Sequence, residues 1–209
     1  MEILYFDSNI VVCVKPSGIL SAKDLSEKPN MQSLLESELS VKEVFPIHRL
    51  DRDVSGLMVY ALNKKAAATL SGAASNHTLF TKEYIALVGG IPEVESGVFE
   101  DLLFKDSAKN KTYVVKKERK GVKFAKLEYS VLEKHENAAL VRVKLYTGRT
   151  HQIRVQFASR KMPLVGDRKY GGAQNEKGIA LRSVYLSFNH PISGEKLTFE
   201  RIPKLEELI

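Results

Sequence analysis

Short apolar runs separated by polar turns recur along the chain, at lengths that suit strands more often than helices. Residues 3–6 and 10–14 read as two strands joined by Asp7-Ser8-Asn9, and Lys15-Pro16-Ser17-Gly18 ends the second with strong turn chemistry. Residues 21–30 are polar and loop-like. Met31, Leu34, Leu35 and Leu39 then recur at helical spacing, with Gln32, Glu36 and Glu38 on the other face. The run 57–62 is apolar throughout and too short for most helices, which suits a buried strand. Asn63 stands where it can cap a helix over 64–74, in which Ala66, Ala67, Ala68 and Leu70 have high helix propensity.

Residues 82–88 have the aromatic and β-branched content of a strand, stopping at Gly89-Gly90. Residues 125–133 and 138–146 suggest an antiparallel pair across His135-Glu136-Asn137. In its second member Val141, Val143 and Leu145 alternate with Arg142, Lys144 and Tyr146, giving a core face and a basic face. Thr147-Gly148-Arg149 turns the chain into HQIRVQFAS, where helical spacing sets Ile153 with Phe157 and His151 with Arg154. A Gly-rich turn at 167–172, a buried segment at 179–188, a turn at 191–194 and a strand at 196–199 follow. Strands predominate and connections are short, so the expected class is α+β with a mixed, largely antiparallel sheet and flanking helices.

Length adds a bound: 209 residues at 44% hydrophobic can bury a substantial core and fit a single domain, 1–209, though two lobes sharing a cleft are also allowed. The lone cysteine, Cys13, lies in an apolar run, which excludes an intrachain disulfide and points to a reducing, cytoplasmic setting. No signal-type segment and no membrane-spanning apolar stretch are read in the sequence. The net charge of +7 favours an acidic polymer as partner. It is unevenly spread, because 105–123 holds eight basic residues against two acidic ones. That run reads equally as a solvated hairpin tip or as a phosphate-contacting element.

Candidate chemistry gathers in PIHRLDRDVSGLMVYAL, where His48, Arg49, Asp51, Arg52 and Asp53 precede the buried strand. An aspartate in such a turn usually serves its own local hydrogen bonds. Flanked by Arg49 and Arg52, with Arg154 also available, Asp51 would instead stay ionised, as a nucleophile must. Tyr84, taken singly, is an ordinary strand aromatic. His48 and His151 lack metal-ligand spacing, and neither HExxH, a Walker A loop nor GxGxxG occurs. No metal and no nucleotide cofactor are expected.

The words HRLDRDVSGLMVYAL, KEYIALVGG, YTGRTHQIRVQFAS and PLVGDRKYGG together resemble the pseudouridine synthases of the RluA type, which isomerise uridine to pseudouridine within RNA. The resemblance runs from FDSNIVVCVKPSGILS to LSFNHPISGEKLTFE, nearly the whole chain. It implies the pseudouridine synthase fold, two lobes around a central basic cleft, as a stand-alone catalytic domain without an S4 domain. It carries the catalytic aspartate onto Asp51, the active-site tyrosine onto Tyr84 and the motif arginine onto Arg154, with His48, Arg49, Arg52, Arg149 and His151 as substrate-binding candidates. The implied reaction needs no cofactor. The aspartate attacks sugar or base of a flipped uridine, the glycosidic bond breaks, and the uracil rejoins the ribose through C5. The implied partner is ribosomal or transfer RNA, met by a cytoplasmic monomer. An RNA-binding protein on the same fold, with its chemistry lost, is the alternative. Val54 departs from a threonine common in the family, and Arg182 and Val114 from its usual histidine and methionine.

Overall fold

The structure, a computed structural model, describes all residues except 26, 27, 75 and 77, so part of the polar loop 21–30 lies outside the described residues. In chain order the elements are β1 (Glu2–Phe6), β2 (Ile10–Lys15), α1 (Met31–Glu38), β3 (Phe45–Pro46), β4 (Ser55–Ala61), α2 (Lys64–Ala74) and β5 (Phe80–Gly89). They continue with β6 (Ser96–Asp106), β7 (Lys111–Val115), β8 (Val122–Lys134), β9 (Ala138–Leu145), α3 (Gln152–Ala158), β10 (Leu181–Asn189) and β11 (Lys196–Glu200). The β4–β10 pairing is parallel, and the β1–β2, β2–β4, β3–β4, β5–β9, β6–β7, β6–β8, β8–β9 and β10–β11 pairings are antiparallel, in agreement with the α+β expectation of a mixed, largely antiparallel sheet. The chain divides into two compact units, Met1–Lys82 with Arg182–Ile202 and Glu83–Leu181 with Pro203–Ile209.

In the first unit β1 pairs β2, β2 pairs β4, β3 joins β4, and β10 pairs β11. Ile10, Val12, Leu57, Val59 and Ala61 point to one face and pack with Ala66 and Leu70 of α2, Phe80, Leu186 and Phe188. Val11, Cys13, Met58 and Tyr60, on the opposite face, are equally buried. Burial on both faces is why 57–62 is apolar without alternation. Asn63 caps α2 as its sequence predicts, its Oδ1 accepting the Ala66 N–H at 2.9 Å. Asn30 does the same for α1, from the Ser33 N–H at 2.9 Å. The one parallel pairing sets Gly56 of β4 beside Ser183 of β10. A Cβ on Gly56 would stand 2.1 Å from the Ser183 carbonyl oxygen, and its φ of +121° suits glycine alone.

In the second unit the residues of β5 from Glu83 onward pair β9, followed in order by β8, β6 and β7. Strands β6 and β7 go beyond the sequence-based expectation, which assigned no strand to the basic run and weighed a hairpin tip equally against a phosphate-contacting element. Leu103, Val114 and Ala125 on one face pack against Val155 of α3. Their intervening lysines and acids hide that alternation when the chain is read linearly. The helix at HQIRVQFAS is shorter than expected, because His151 adopts the left-handed conformation at φ 53° and stands before α3.

Candidate active site

Asp51 opens a turn closed by the Val54 N–H on the Asp51 carbonyl at 3.1 Å, and its side chain is half-buried. The turn is held chiefly through its main chain. Lys15, with no solvent exposure, donates from Nζ to the carbonyls of Pro16 at 2.8 Å, Ile19 at 2.7 Å and Arg52 at 2.9 Å. The Gly18 N–H reaches the same Arg52 carbonyl at 2.9 Å, and the Ser17 hydroxyl donates to the Asp53 carbonyl at 3.0 Å. Ser21 Oγ brackets Leu50, donating to its carbonyl at 2.8 Å and accepting its N–H at 3.0 Å. The segment that breaks β2 is thus also the clamp on the Asp51 turn. Burial pushes the Lys15 ammonium down to about 8, while the charges of Asp53 and Asp51 pull it back up and Arg52 lowers it further.

The other candidates of this loop differ among themselves. Arg49 and Arg52 are exposed, and Arg52 Nε donates to Asp53 Oδ1 at 2.8 Å. His48 accepts the Val59 N–H on Nε2 at 3.3 Å, tying the loop to β4, and its ring lies edge-on to Phe80 at 5.7 Å. Burial, then the neighbouring Lys82 charge, pushes His48 down to about 3. It is therefore a neutral strut at physiological pH. Val54 is buried, a setting that suits its apolar side chain. Its N–H, not its side chain, completes the turn.

In the second unit Tyr84 is buried on β5 opposite Val143. Arg154 projects from α3 into a two-pronged pair with Asp167, Nε to Oδ2 at 2.6 Å and Nη2 to Oδ1 at 2.9 Å. The two side chains are only 6% and 1% exposed. Tyr170 lies alongside, its ring 5.3 Å from the Arg154 guanidinium. Its hydroxyl accepts the Thr112 N–H at 2.8 Å and meets His151 Nδ1 at 2.9 Å. Burial is the largest influence on Tyr170 and raises its pKa. Arg149 donates from Nε to the Phe124 carbonyl at 2.9 Å, and Gln152 Oε1 takes the Arg149 N–H at 3.0 Å and the Thr147 hydroxyl at 2.7 Å. Arg149, His151, Arg154, Asp167 and Tyr170 are thereby tied to one helix start and its facing loop.

Sequence reasoning missed Lys15, Asp167 and Tyr170. Lys15 was hidden in a turn signal. Asp167 and Tyr170 sit inside PLVGDRKYGG, a word whose glycines offer a clue. A Cβ on Gly172 would come within 2.0 Å of the Leu164 carbonyl, and one on Gly166 within 1.8 Å of the Gly178 carbonyl. Such close main-chain approach marks a loop built to hold something fixed. Among the described residues no three His, Cys, Asp or Glu side chains converge as metal ligands, and no helix is long and apolar enough to cross a membrane.

Solved structures share this fold. The human RNA pseudouridylate synthase domain containing 4 superposes with a TM-score of 0.79 over 99% of this chain and 90% of its own, at 23% identity. The fold is that of the pseudouridine synthases. The RNA pseudouridylate synthase family model matches residues 9–159. An uncharacterized RNA pseudouridine synthase of Bacillus subtilis is 32% identical over 96% of this chain and 68% of its own length. The ribosomal large subunit pseudouridine synthase D of Vibrio cholerae is 33% identical over 95% of this chain and 66% of its own. This chain therefore spans about two thirds of those relatives. It belongs to the RNA pseudouridine synthase family, in its RluA type, whose enzymes are isomerases that convert uridine to pseudouridine in RNA.

Proposed function

We propose that the chain modifies specific uridines of ribosomal or transfer RNA, with Asp51 as nucleophile and Tyr84 and Arg154 as its catalytic partners. The observation that carries this reading is the clamp on the Asp51 turn, where Lys15, Ser17, Gly18 and Ser21 fix the main chain of 50–53 and so fix the point from which the carboxylate extends. A reacting group must be held within a fraction of an ångström, and main-chain clamping supplies that. The target uridine leaves its stack to be reached. Asp51 attacks the nucleoside and the glycosidic C–N bond breaks. The uracil turns and bonds to C1′ through C5, the bond to Asp51 breaks and returns the carboxylate, C5 loses its proton and N1 gains one. Tyr84 stacks on the flipped base and assists removal of the C5 proton. Arg154, braced by Asp167, supplies a fixed cation to the reacting carboxylate. Arg49, Arg52 and Arg149 contact the RNA backbone, and His48 and His151 hold their loops.

Ribosomal RNA is favoured by relatives named as ribosomal large subunit synthases. Incubating cellular RNA with the purified chain and mapping product by carbodiimide and primer extension tests the proposal. Product at discrete uridines is expected, and Asp51→Asn abolishes it while RNA binding persists. A folded protein that yields no product on any cellular RNA overturns the activity. An Asp51→Asn variant as active as the parent overturns the nucleophile.

A further inference from the structure

The basic run has a second property that charge alone does not explain. Leu103, Val114 and Ala125 face α3, so by strand alternation Phe104, Tyr113 and Phe124 face the other way. Phe104 lies directly opposite Tyr113, and Phe124 opposite Leu102 on the next strand, which sets three aromatic rings on one sheet face. Phe124 is 48% exposed. Arg119 lies over the Phe104 ring at 4.5 Å, and at the sheet edge Lys111 sits between the Tyr113 ring at 5.8 Å and the Tyr170 ring at 5.2 Å. The turns on either side of β7 are fixed, since Lys169 holds the Asn110 carbonyl at 2.9 Å and the Val122 N–H closes on Arg119 at 3.0 Å. Lysines along an edge strand protect it from pairing with other chains. Edge protection calls for neither an exposed phenylalanine nor an arginine laid on a ring.

We propose that the face of β6, β7 and β8 bearing Phe104, Tyr113 and Phe124 is a stacking platform for single-stranded RNA, with the lysines of 105–123 following its phosphates. The proposal rests on the action on RNA argued above and adds a binding surface to it. Aromatic faces accept any base, while exposed lysines and arginines on flexible stems track a backbone without reading sequence. Only Asp106 and Glu118 oppose the basic residues of that run, so the electrostatic match is to a polyanion. The platform lies on the opposite side of the sheet from α3 and Arg154. It therefore holds nucleotides flanking the target and takes no part in the bond changes.

The test uses the whole chain and a labelled single-stranded RNA of about 12 nucleotides, followed by fluorescence anisotropy over a salt series. Phe104→Leu and Phe124→Leu keep an apolar side chain and remove the π-face. Each is expected to weaken binding roughly 5- to 100-fold without changing the salt slope. Lys116→Gln combined with Lys120→Gln is expected to flatten the slope by about 0.7 for each phosphate that is no longer neutralised. Leu variants that melt like the parent and bind equally well overturn the platform. So does an equal loss of affinity for blunt duplex RNA, which offers no base to stack. Pseudouridine formation is measured on the same samples. Leu variants that lose affinity in a chain that forms no product leave the platform standing and overturn the proposed function, and product with unchanged affinity does the reverse.

Discussion

Asp51 and Arg154 are held by opposite means. Asp51 sits half-buried on a turn whose carbonyls are gripped by a buried ammonium, two hydroxyls and a glycine N–H. Arg154 is buried on a helix and gripped through its own side chain by the Asp167 carboxylate. A main-chain grip fixes where a short side chain starts without itself drawing on that side chain's hydrogen-bonding capacity. A side-chain grip uses part of that capacity to fix direction, which a long flexible arginine needs and a short aspartate does not.

The contrast breaks most sharply at Asp167. Asp167→Asn takes from the buried Arg154 guanidinium the carboxylate that it meets on two prongs, and a loss of roughly 3–5 kcal/mol is expected in urea unfolding. Replacing both partners, Arg154→Met with Asp167→Leu, is expected to restore much of that stability and none of the activity, separating the fold's need from the reaction's. Lys15→Met is expected to cost about 2–3 kcal/mol in the same measurement, because the Pro16, Ile19 and Arg52 carbonyls lose a shared donor. It is also expected to lower the rate of product formation more than RNA affinity.

A gentler probe is pH. Folded His48 stays neutral down to about 3, whereas in the unfolded chain it protonates near a pH of about 6.5. Between those values the unfolded state binds the extra proton, so stability falls as pH falls, by up to about 1.4 kcal/mol per unit. His48→Gln is expected to flatten the slope from about pH 6.5 to 5 in thermal melts. The smallest effect is expected at Arg52→Gln, since its exposed pair with Asp53 is worth under about 1 kcal/mol. That variant is expected to show itself in the salt dependence of RNA binding alone.

The strands around Asp51 were legible because both faces of β4 are buried and the flanking turn residues are strong signals. Asn63 and its helix were legible for the same local reason, a capping side chain next to a run of good helix formers. Strands β6 and β7 were not, since lysines and acids fill their solvent face and Phe104 and Tyr113 break the expected polar alternation. Lys15 was illegible because its partners, apart from those in its own turn, lie 37 residues away. Nothing in KPSG announces that its lysine points inward. The helical pairing of His151 with Arg154 failed at the left-handed turn before α3, yet both residues reach Tyr170.

The parallel pairing of Gly56 with Ser183 also orders events in time. Ser183 Oγ donates to the Leu57 carbonyl at 3.1 Å, a bond spanning 126 residues of chain. The strand that supports the Asp51 turn is thus completed only once β10 has been made, 126 residues of chain later. Until then a nascent chain carries the whole HRLD word without its scaffold, and the Asp51 carboxylate waits for the strand behind it.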